Sequence, residues 1–333
     1  MIIDLHSHFL PAAWPDLQAR FGTPDWPWMR HVDDEHAMLM LGTRDFRPVY
    51  DACWNAQRRV AEMDRDGIDI QIISATPILF AYGRPAAQAE YCARIFNDAA
   101  LEICSHAPTR LRALAQVPLQ DTDMACREAS RAMASGHVGV QIGNHVGDRG
   151  LDDAGIMTFL HHCAQEDIPL LIHPWDMMTN ARMGSYMLPW LVSMPAETQL
   201  SILSLILSGA FERLPRNLRL CFAHGGGSFP YLLGRVDNAW RNRDIVRVDC
   251  PNLPSSYVDR FHVDSAVFDP DALELLVRVM GDERIMLGSD YPFPLGECPV
   301  GGLVRSATFL GADARARILG GNAAAFLGLS RNV

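Results

Sequence analysis

Lysine is absent from the 333-residue sequence: all 29 basic residues are arginine. That absence removes several chemistries. A pyridoxal phosphate enzyme needs a Schiff-base lysine, and a P-loop needs a lysine on the nucleotide phosphates. A carbamylated lysine bridging two metals is excluded as well. No two cysteines stand at CxxC spacing; the residues at 53, 92, 104, 126, 163, 221, 250 and 298 are scattered singly. In a chain of this length they read as reduced, mostly buried thiols. The first residues, MIIDLHSHFLP, carry no basic stretch of the signal-peptide kind, and no apolar run approaches a membrane span. The chain therefore reads as cytoplasmic, with no membrane partner. Its net charge of −10 argues against a nucleic-acid footprint.

What is present suits a large core: 49% of residues are hydrophobic and 20% charged. The length fits one α/β barrel domain over residues 1–333. Strands are predicted at Ile2–Leu5, Ile70–Ser74, Ala113–Val117, Val138–Ile142, Leu170–His173, Leu218–Ala223, Phe261–Val263 and Ile285–Gly288. They read as continuous apolar runs, as parallel strands buried on both faces do. The helical patterns between them carry their own punctuation. NAQRRVAEMDRDG stops at Gly67, and TDMACREASRAMASG runs from near Asp121 or Thr122 to Gly136. DPDALELLVRVMG has Pro270 in its first turn and Gly281 at its end. Eight such units predict a (β/α)8 TIM barrel rather than a doubly wound sheet.

One connection is too long for a barrel loop. Residues 11–51, after the first strand, hold Trp14, Trp26, Trp28 and Phe46. Within them EHAMLML and DFRPVY flank GTR, the pattern of a β-hairpin. An insertion after strand 1 sits on the C-terminal face, where barrel active sites lie, so it is expected to act as a lid.

The polar residues at strand ends carry the chemistry. Strand 1 ends in His6 and His8, strand 5 in His173, strand 6 in His224 and strand 8 in Asp290. His6 and His8 are two apart on an extended chain, so both side chains face the barrel mouth. Imidazoles and a carboxylate converging at barrel strand ends suit zinc and related divalent metals. If His6, His8, His173 and Asp290 are the ligands, a position stays open for water, and His224 takes the water's proton. The other assignment makes His224 a ligand and Asp290 the base. His161 and His162 lie in a helix and read as structural, while His145, after strand 4, is a weaker candidate for the mouth. In FAHGGGSFP, the glycines after His224 read as clearance beside the metal water; without lysine or GxGxxG spacing they are not a phosphate loop. Arg47, in the hairpin, and Arg235, in the helix after His224, are the guanidinium groups able to grip a carboxylate.

Histidines after strands 1, 5 and 6 with an aspartate after strand 8 resemble the amidohydrolase superfamily. The longer stretches IDLHSHFLP, QIGNHVGD, HPWDMM, LPWLVSMPAET, FAHGGGSFP, GRVDNAW, LGSDYPFPLGE and GNAAAFLGL resemble, within it, the α-amino-β-carboxymuconate-ε-semialdehyde decarboxylase family. The likeness runs from residue 2 to near 329, insertion included. It implies a barrel of the metal-dependent hydrolase type and a zinc-dependent, oxygen-independent carboxy-lyase of tryptophan catabolism by the kynurenine route. It implies one zinc per subunit on His6, His8, His173 and Asp290, with His224 as base. It also implies a small dicarboxylate semialdehyde substrate held by Arg47 and by Arg235 reaching across a homodimer, with Met177 and Phe293 lining the site. A hydrolase of an amide or lactone, or a hydroxybenzoate decarboxylase, is the alternative on the same scaffold.

Overall fold

A computed structural model describes residues 1–329; residues 330–333, the end of the domain expected over 1–333, lie outside the described residues. The strands are β1 (Ile3–Phe9), β2 (Pro27–His31), β3 (His36–Leu41), β4 (Arg44–Tyr50), β5 (Ile70–Ala75), β6 (Leu111–Ala115) and β7 (Gly139–Gly143). Then come β8 (His145–Val146), β9 (Arg149–Gly150), β10 (Leu170–His173), β11 (Leu220–Phe222), β12 (His262–Asp264) and β13 (Ile285–Met286). Eight of them form one sheet in the order β1, β5, β6, β7, β10, β11, β12, β13. Every pairing in it is parallel. The sheet closes on itself beyond β13: Leu5 N–H donates to Leu287 O at 2.8 Å, and Ser7 bridges Tyr291 in parallel. With helices between the strands, this is the expected TIM barrel.

The helices begin and end where the sequence marks them. Ala56–Asp66 is capped by Asn55 and stopped by a left-handed Gly67, and Thr122–Ser135 is capped by Asp121 and stopped by Gly136. Pro270–Met280 starts on an Asp269 cap. In each case the cap oxygen accepts N–H groups that the first turn leaves free. Inside the barrel, Ile3, Leu5, Ile72, Leu114, Leu171, Cys221 and Met286 form one apolar cluster drawn from six strands. All eight cysteines are free, six of them buried. Burial pushes the Cys53, Cys92 and Cys104 thiols up to about 12, so they remain protonated.

Two details differ from the sequence reading. The hairpin β3–β4 forms as expected, but β2 adds a third antiparallel strand to it. The hairpin pattern gave no sign of β2, because PWMRH is neither alternating nor bounded by a tight turn. Trp26, Leu39 and Val49 are buried in the same core cluster as Phe9, Phe80 and Phe96, so the insertion is anchored to the barrel. Second, the continuous helical segment Pro189–Leu207 reaches a mean hydropathy of 1.3, enough by length and composition to cross a membrane. The expectation of no such run was too strong; this segment belongs to the outer ring and packs against the Phe229–Asn242 helix.

His262, at the start of β12, packs against Phe326 and leaves Nδ1 without a partner among the described residues. Burial, and then the nearby Arg284 charge, push its pKa down to about 4. The unfolded chain takes up this proton first, so its contribution costs stability as pH falls from ~6.5 towards 4, by about 1.4 kcal/mol per pH unit. Replacing His262 by Phe should flatten that acid limb, as read by urea unfolding at pH 6.5 and pH 5.

Candidate metal centre

The residues from strand ends meet because β1 is irregular. Asp4 pairs with Gln71 but Ser7 with Ile73, so three steps along β1 are set against two along β5. One extra residue makes a bulge, and a bulge re-aims the side chains that follow it. Ile3 and Leu5 thus face the interior, yet His6 and His8 face it too. Asp4 and Ser7 are left outside the barrel, where they meet Gln71 and Arg59.

His6 and His8 bring their Nε2 atoms to 3.1 Å. Each imidazole is anchored through the other nitrogen. His6 donates Nδ1–H to Asp264 Oδ2 at 2.7 Å. His173 donates Nδ1–H to Pro174 O at 2.7 Å. His8 Nδ1 lies 3.5 Å from Ser74 Oγ, whose own proton goes to Ser7 O. Those bonds leave the three Nε2 lone pairs pointing inwards. Asp290 Oδ1 stands 3.1 Å from His8 Nε2 and 3.7 Å from His6 Nε2. The ligand atoms of His6, His8, His173 and Asp290 all lie within 4.8 Å of one another.

These groups fit a divalent cation. Three inward lone pairs and a carboxylate repel one another unless a positive charge sits between them, and His173 Nε2 is buried without a partner among the described residues. Burial pushes the pKa of His8 down to about 4 and that of His173 well below its usual value, helped in His173 by the neighbouring imidazoles. Both are therefore neutral, as ligands must be. Burial opposes the charge on His6 as well, but the Asp264 hydrogen bond and the Asp264 and Asp290 charges outweigh it and raise its pKa. Burial likewise disfavours the Asp290 carboxylate, yet contacts with His224 and His8 hold its pKa well below the usual carboxylate range.

His224 stands beside this group, its ring centroid 4.9 Å from that of His173 and 5.2 Å from that of His6. Its Nε2 is 3.8 Å from Asp290 Oδ2, and neither ring nitrogen has a hydrogen-bond partner among the described residues. His224 is not among the four residues whose ligand atoms cluster within 4.8 Å, and it occupies the adjoining position. His224 and Asp290 both have left-handed backbones, with φ of 55° and 59°. For residues with a side chain this conformation costs of order 1 kcal/mol or more, and such strain gathers at functional sites.

The glycines after His224 do not clear space for a water, as the sequence suggested. A Cβ on Gly225 would lie 2.4 Å from Val267 Cγ1, and one on Gly227 would lie 2.2 Å from Pro195 O. Their φ angles are +61° at both positions. They let the turn bend sharply against the barrel wall, behind His224.

Asp264 is the residue that the sequence reading missed. Its Oδ2 holds His6, while Oδ1 accepts from Gly225 N–H at 2.8 Å and Ala266 N–H at 3.1 Å. One carboxylate thus fixes both a proposed ligand and the turn carrying His224. The signal was the aspartate closing strand 7 in FHVDS, a strand-end carboxylate like Asp290.

Arg47 is half-buried on β4, with its guanidinium 4.5 Å from the Phe293 ring centroid. Phe293 in turn lies 5.5 Å from the His8 ring. Burial lowers the pKa of Arg47 and the charge of Asp290 acts against that, so the arginine feels the centre. Among the described residues its side chain makes no hydrogen bond or ion pair. Arg235 is exposed on the helix Phe229–Asn242 and is likewise unpaired among the described residues. Met177 is half-buried in the loop after β10. His145 reaches the mouth, but its ring nitrogens face backbone carbonyls, Nδ1 at 2.9 Å from Gly147 O and Nε2 at 3.0 Å from Asp176 O, and one of them donates its N–H there. His162 contacts Ser130 Oγ on the outer ring, as a structural histidine would.

A family model described as amidohydrolase matches residues 3–329. The 2-amino-3-carboxymuconate-6-semialdehyde decarboxylase of Dictyostelium discoideum is 41% identical over 332 residues, covering 99% of this chain and 92% of that protein. The protein of the same name from Caenorhabditis elegans is 33% identical, covering 99% and 95%. The crystal structure of a dihydroxybenzoic acid decarboxylase from Polaromonas sp. JS666, with bound manganese and 2-nitroresorcinol, superposes with a TM-score of 0.78. It is 23% identical, covers 99% of this chain and 97% of that one, and shares the fold.

Removing the carboxylate behind a ligand histidine weakens metal binding by roughly ten- to a hundredfold. Asp264→Ala should show that loss in a competitive chelator titration, and it should cost more than Ser74→Ala, whose contact with His8 is long.

Proposed function

We propose that this chain, which belongs to the amidohydrolase family and is a carboxy-lyase, removes CO2 from 2-amino-3-carboxymuconate 6-semialdehyde in tryptophan catabolism. The observation that carries the substrate reading is Arg47. A half-buried guanidinium without an ion-pair partner among the described residues, set over Phe293 beside the histidine–aspartate group, suits an anionic substrate at that spot. The names of the Dictyostelium discoideum and Caenorhabditis elegans relatives agree with it.

We read the bound metal as one zinc ion, held by His6, His8, His173 and Asp290, since imidazole and carboxylate donors suit zinc. Such a cation supplies electrophilic polarisation and makes a water acidic near neutral pH. The chain's own residues do the rest. Arg47 binds a substrate carboxylate through two parallel N–H bonds and fixes its register. Phe293 walls the same side, and Met177, in the loop after β10, lines the site as well. His224 takes a proton at Nε2 from water, while Asp290 Oδ2, 3.8 Å away, steadies the resulting imidazolium. The hydroxide left by that transfer adds to the conjugated chain beside the carboxylate-bearing carbon, and His224 returns its proton to that carbon. The C–C bond to the carboxylate then breaks, CO2 leaves, and the bond's electron pair re-forms the double bond as the hydroxide is expelled. The sheet β2–β3–β4 serves as the wall and cover of the site rather than a free flap.

A second copy of the chain completes the site. The helices Met194–Leu207 and Phe229–Asn242 leave Leu200 and Tyr231 55% and 78% exposed, and Ile245 nearby is 78% exposed. Large exposed apolar patches mark association surfaces. A homodimer covering this face carries Arg235 into the neighbouring site. The scattered free thiols fit a cytoplasmic setting.

Purified zinc-loaded protein should bleach the substrate's absorbance with release of CO2. Acid release from amide or lactone substrates, or decarboxylation of hydroxybenzoates that survives Arg47→Ala, would instead support the alternatives. His224→Ala should retain zinc and lose about two to four orders of magnitude in kcat, whereas His173→Ala should come off the column without metal. A zinc-free His224→Ala would reverse the roles of ligand and base. Mixing inactive His224→Ala with inactive Arg235→Ala should restore about a quarter of the wild-type activity, because random pairing of a two-fold dimer yields hybrids with one intact site. No recovery after confirmed subunit exchange would place Arg235 outside the neighbouring site.

A further inference from the structure

We propose that Arg59, which touches none of the reacting groups, is a positioning residue that locks the Arg47 hairpin and the metal-binding strand into one register. The proposal rests on reading His6, His8, His173 and Asp290 as a metal site, and it adds a residue that the resemblance does not mention. Arg59 lies on the inner face of the helix Ala56–Asp66 and is 1% exposed. Among the described residues it has no carboxylate partner, which is unusual for a buried guanidinium. Buried charge of this kind is costly, and an apolar side chain would fill the volume more cheaply.

Its contacts account for its presence. Nε–H donates to Ala52 O at 3.1 Å, at the foot of β4, which carries Arg47. One terminal nitrogen donates to His8 O at 2.5 Å, the carbonyl of a proposed ligand. The other donates to Ser7 Oγ at 3.3 Å and to Gln71 Oε1 at 2.8 Å. The guanidinium plane lies 4.9 Å from the ring centroid of Tyr291, the residue after Asp290. A single planar fork therefore ties the hairpin stem, the strand of His6 and His8, and the segment of Asp290. Gln71 passes the contact on to Asp4 Oδ2 at 2.9 Å, and Asp4 accepts from Ser289 Oγ at 2.6 Å, on the other side of Asp290. Tyr291 and Tyr50 share Glu62 as acceptor, at 2.7 Å and 3.3 Å, which repeats the hairpin-to-Asp290 link one layer out.

The geometry needs an arginine. Lysine keeps the charge but has no planar fork, so it cannot hold Ala52, His8 and Gln71 together. Methionine keeps the bulk and loses every bond. The test compares wild type, Arg59→Lys and Arg59→Met, each checked for folding by far-UV circular dichroism. Cobalt titration reads the metal centre through its visible absorption bands and its affinity. Steady-state kinetics, alone and combined with Arg47→Ala, read the hairpin.

The expected result is roughly ten- to hundredfold weaker cobalt binding with shifted bands in both folded variants. KM should rise in Arg59→Lys, and the further penalty of Arg47→Ala should shrink in that background, since a displaced hairpin has already lost the contact. A folded Arg59→Met with wild-type cobalt affinity, unchanged bands and an undiminished Arg47→Ala penalty would overturn the proposal and leave Arg59 a packing residue. If Arg59→Met fails to fold, the same readings on Arg59→Lys decide the matter. Should wild-type protein itself bind no cobalt, the metal-site reading fails, and the coupling of KM effects between positions 47 and 59 still tests Arg59 alone.

Discussion

The centre depends on one extra residue in β1. A regular strand alternates its side chains, so a chain that buries Ile3 and Leu5 in the barrel would turn His6 outwards. The bulge between Asp4 and Ser7 breaks the alternation at that point. Two apolar residues and two imidazoles then share one face, and Asp4 and Ser7 are free to bond the surrounding layer. The closing strand responds to the same irregularity: Ser289 and Asp290 both donate N–H to His6 O, at 3.2 Å and 3.0 Å. Asp290 therefore arrives beside the histidines as part of barrel closure, and its left-handed backbone is the cost of turning the carboxylate back over them.

Closure alone would leave an electrostatic conflict. Lone pairs of three histidines converge with an ionised carboxylate in a place that water barely reaches, where unmatched charge is expensive. Asp264 settles the orientation of His6 and Pro174 O that of His173, so neither of these rings can turn without breaking a short bond. The arrangement is thus rigid in the absence of what would neutralise it. Preorganisation of this kind is what makes an ion bind in one geometry, and the outer bonds matter as much as the inner atoms. Of the four imidazoles gathered here, His224 is the one with both ring nitrogens unpartnered among the described residues, and it also has Asp290's second oxygen nearby.

Much of this was readable from the sequence because barrel chemistry gathers at strand ends, and the strand ends were marked by apolar runs stopping at His6, His8, His173, His224 and Asp290. Helix caps at Asn55, Asp121 and Asp269 fell where local side-chain bonding requires them. Features that depend on three-dimensional contact were not readable. The bulge leaves no trace in IDLHSHF, since either strand register fits its composition. Asp264 belongs to a short strand whose only distinction is where it ends. The glycines at 225 and 227 signal a special backbone, but only the positions of Val267 and Pro195 O reveal which wall they avoid. Arg59 sits in a run with Arg58, and nothing in QRRVAEMD says which of the two is buried; Arg58 pairs with Glu62 at the surface.

The barrel and the insertion solve different problems. The barrel concentrates donors for a cation and a base, yet its rim offers a substrate anion little direction, because Asp290 repels it. The orienting charge has to come from an element outside the strand ends, and the proposed source is Arg47 on β4, whose guanidinium stands 4.5 Å from the Phe293 ring centroid. Such an element is useful only if its register against the centre is fixed to a fraction of an ångström, which exposed loops do not provide. Burying Trp26, Leu39 and Val49 fixes its position against the barrel. Bonds from the helix Ala56–Asp66 to the hairpin stem and to β1 join the two parts of the site, which is the basis for assigning that helix the setting of their register.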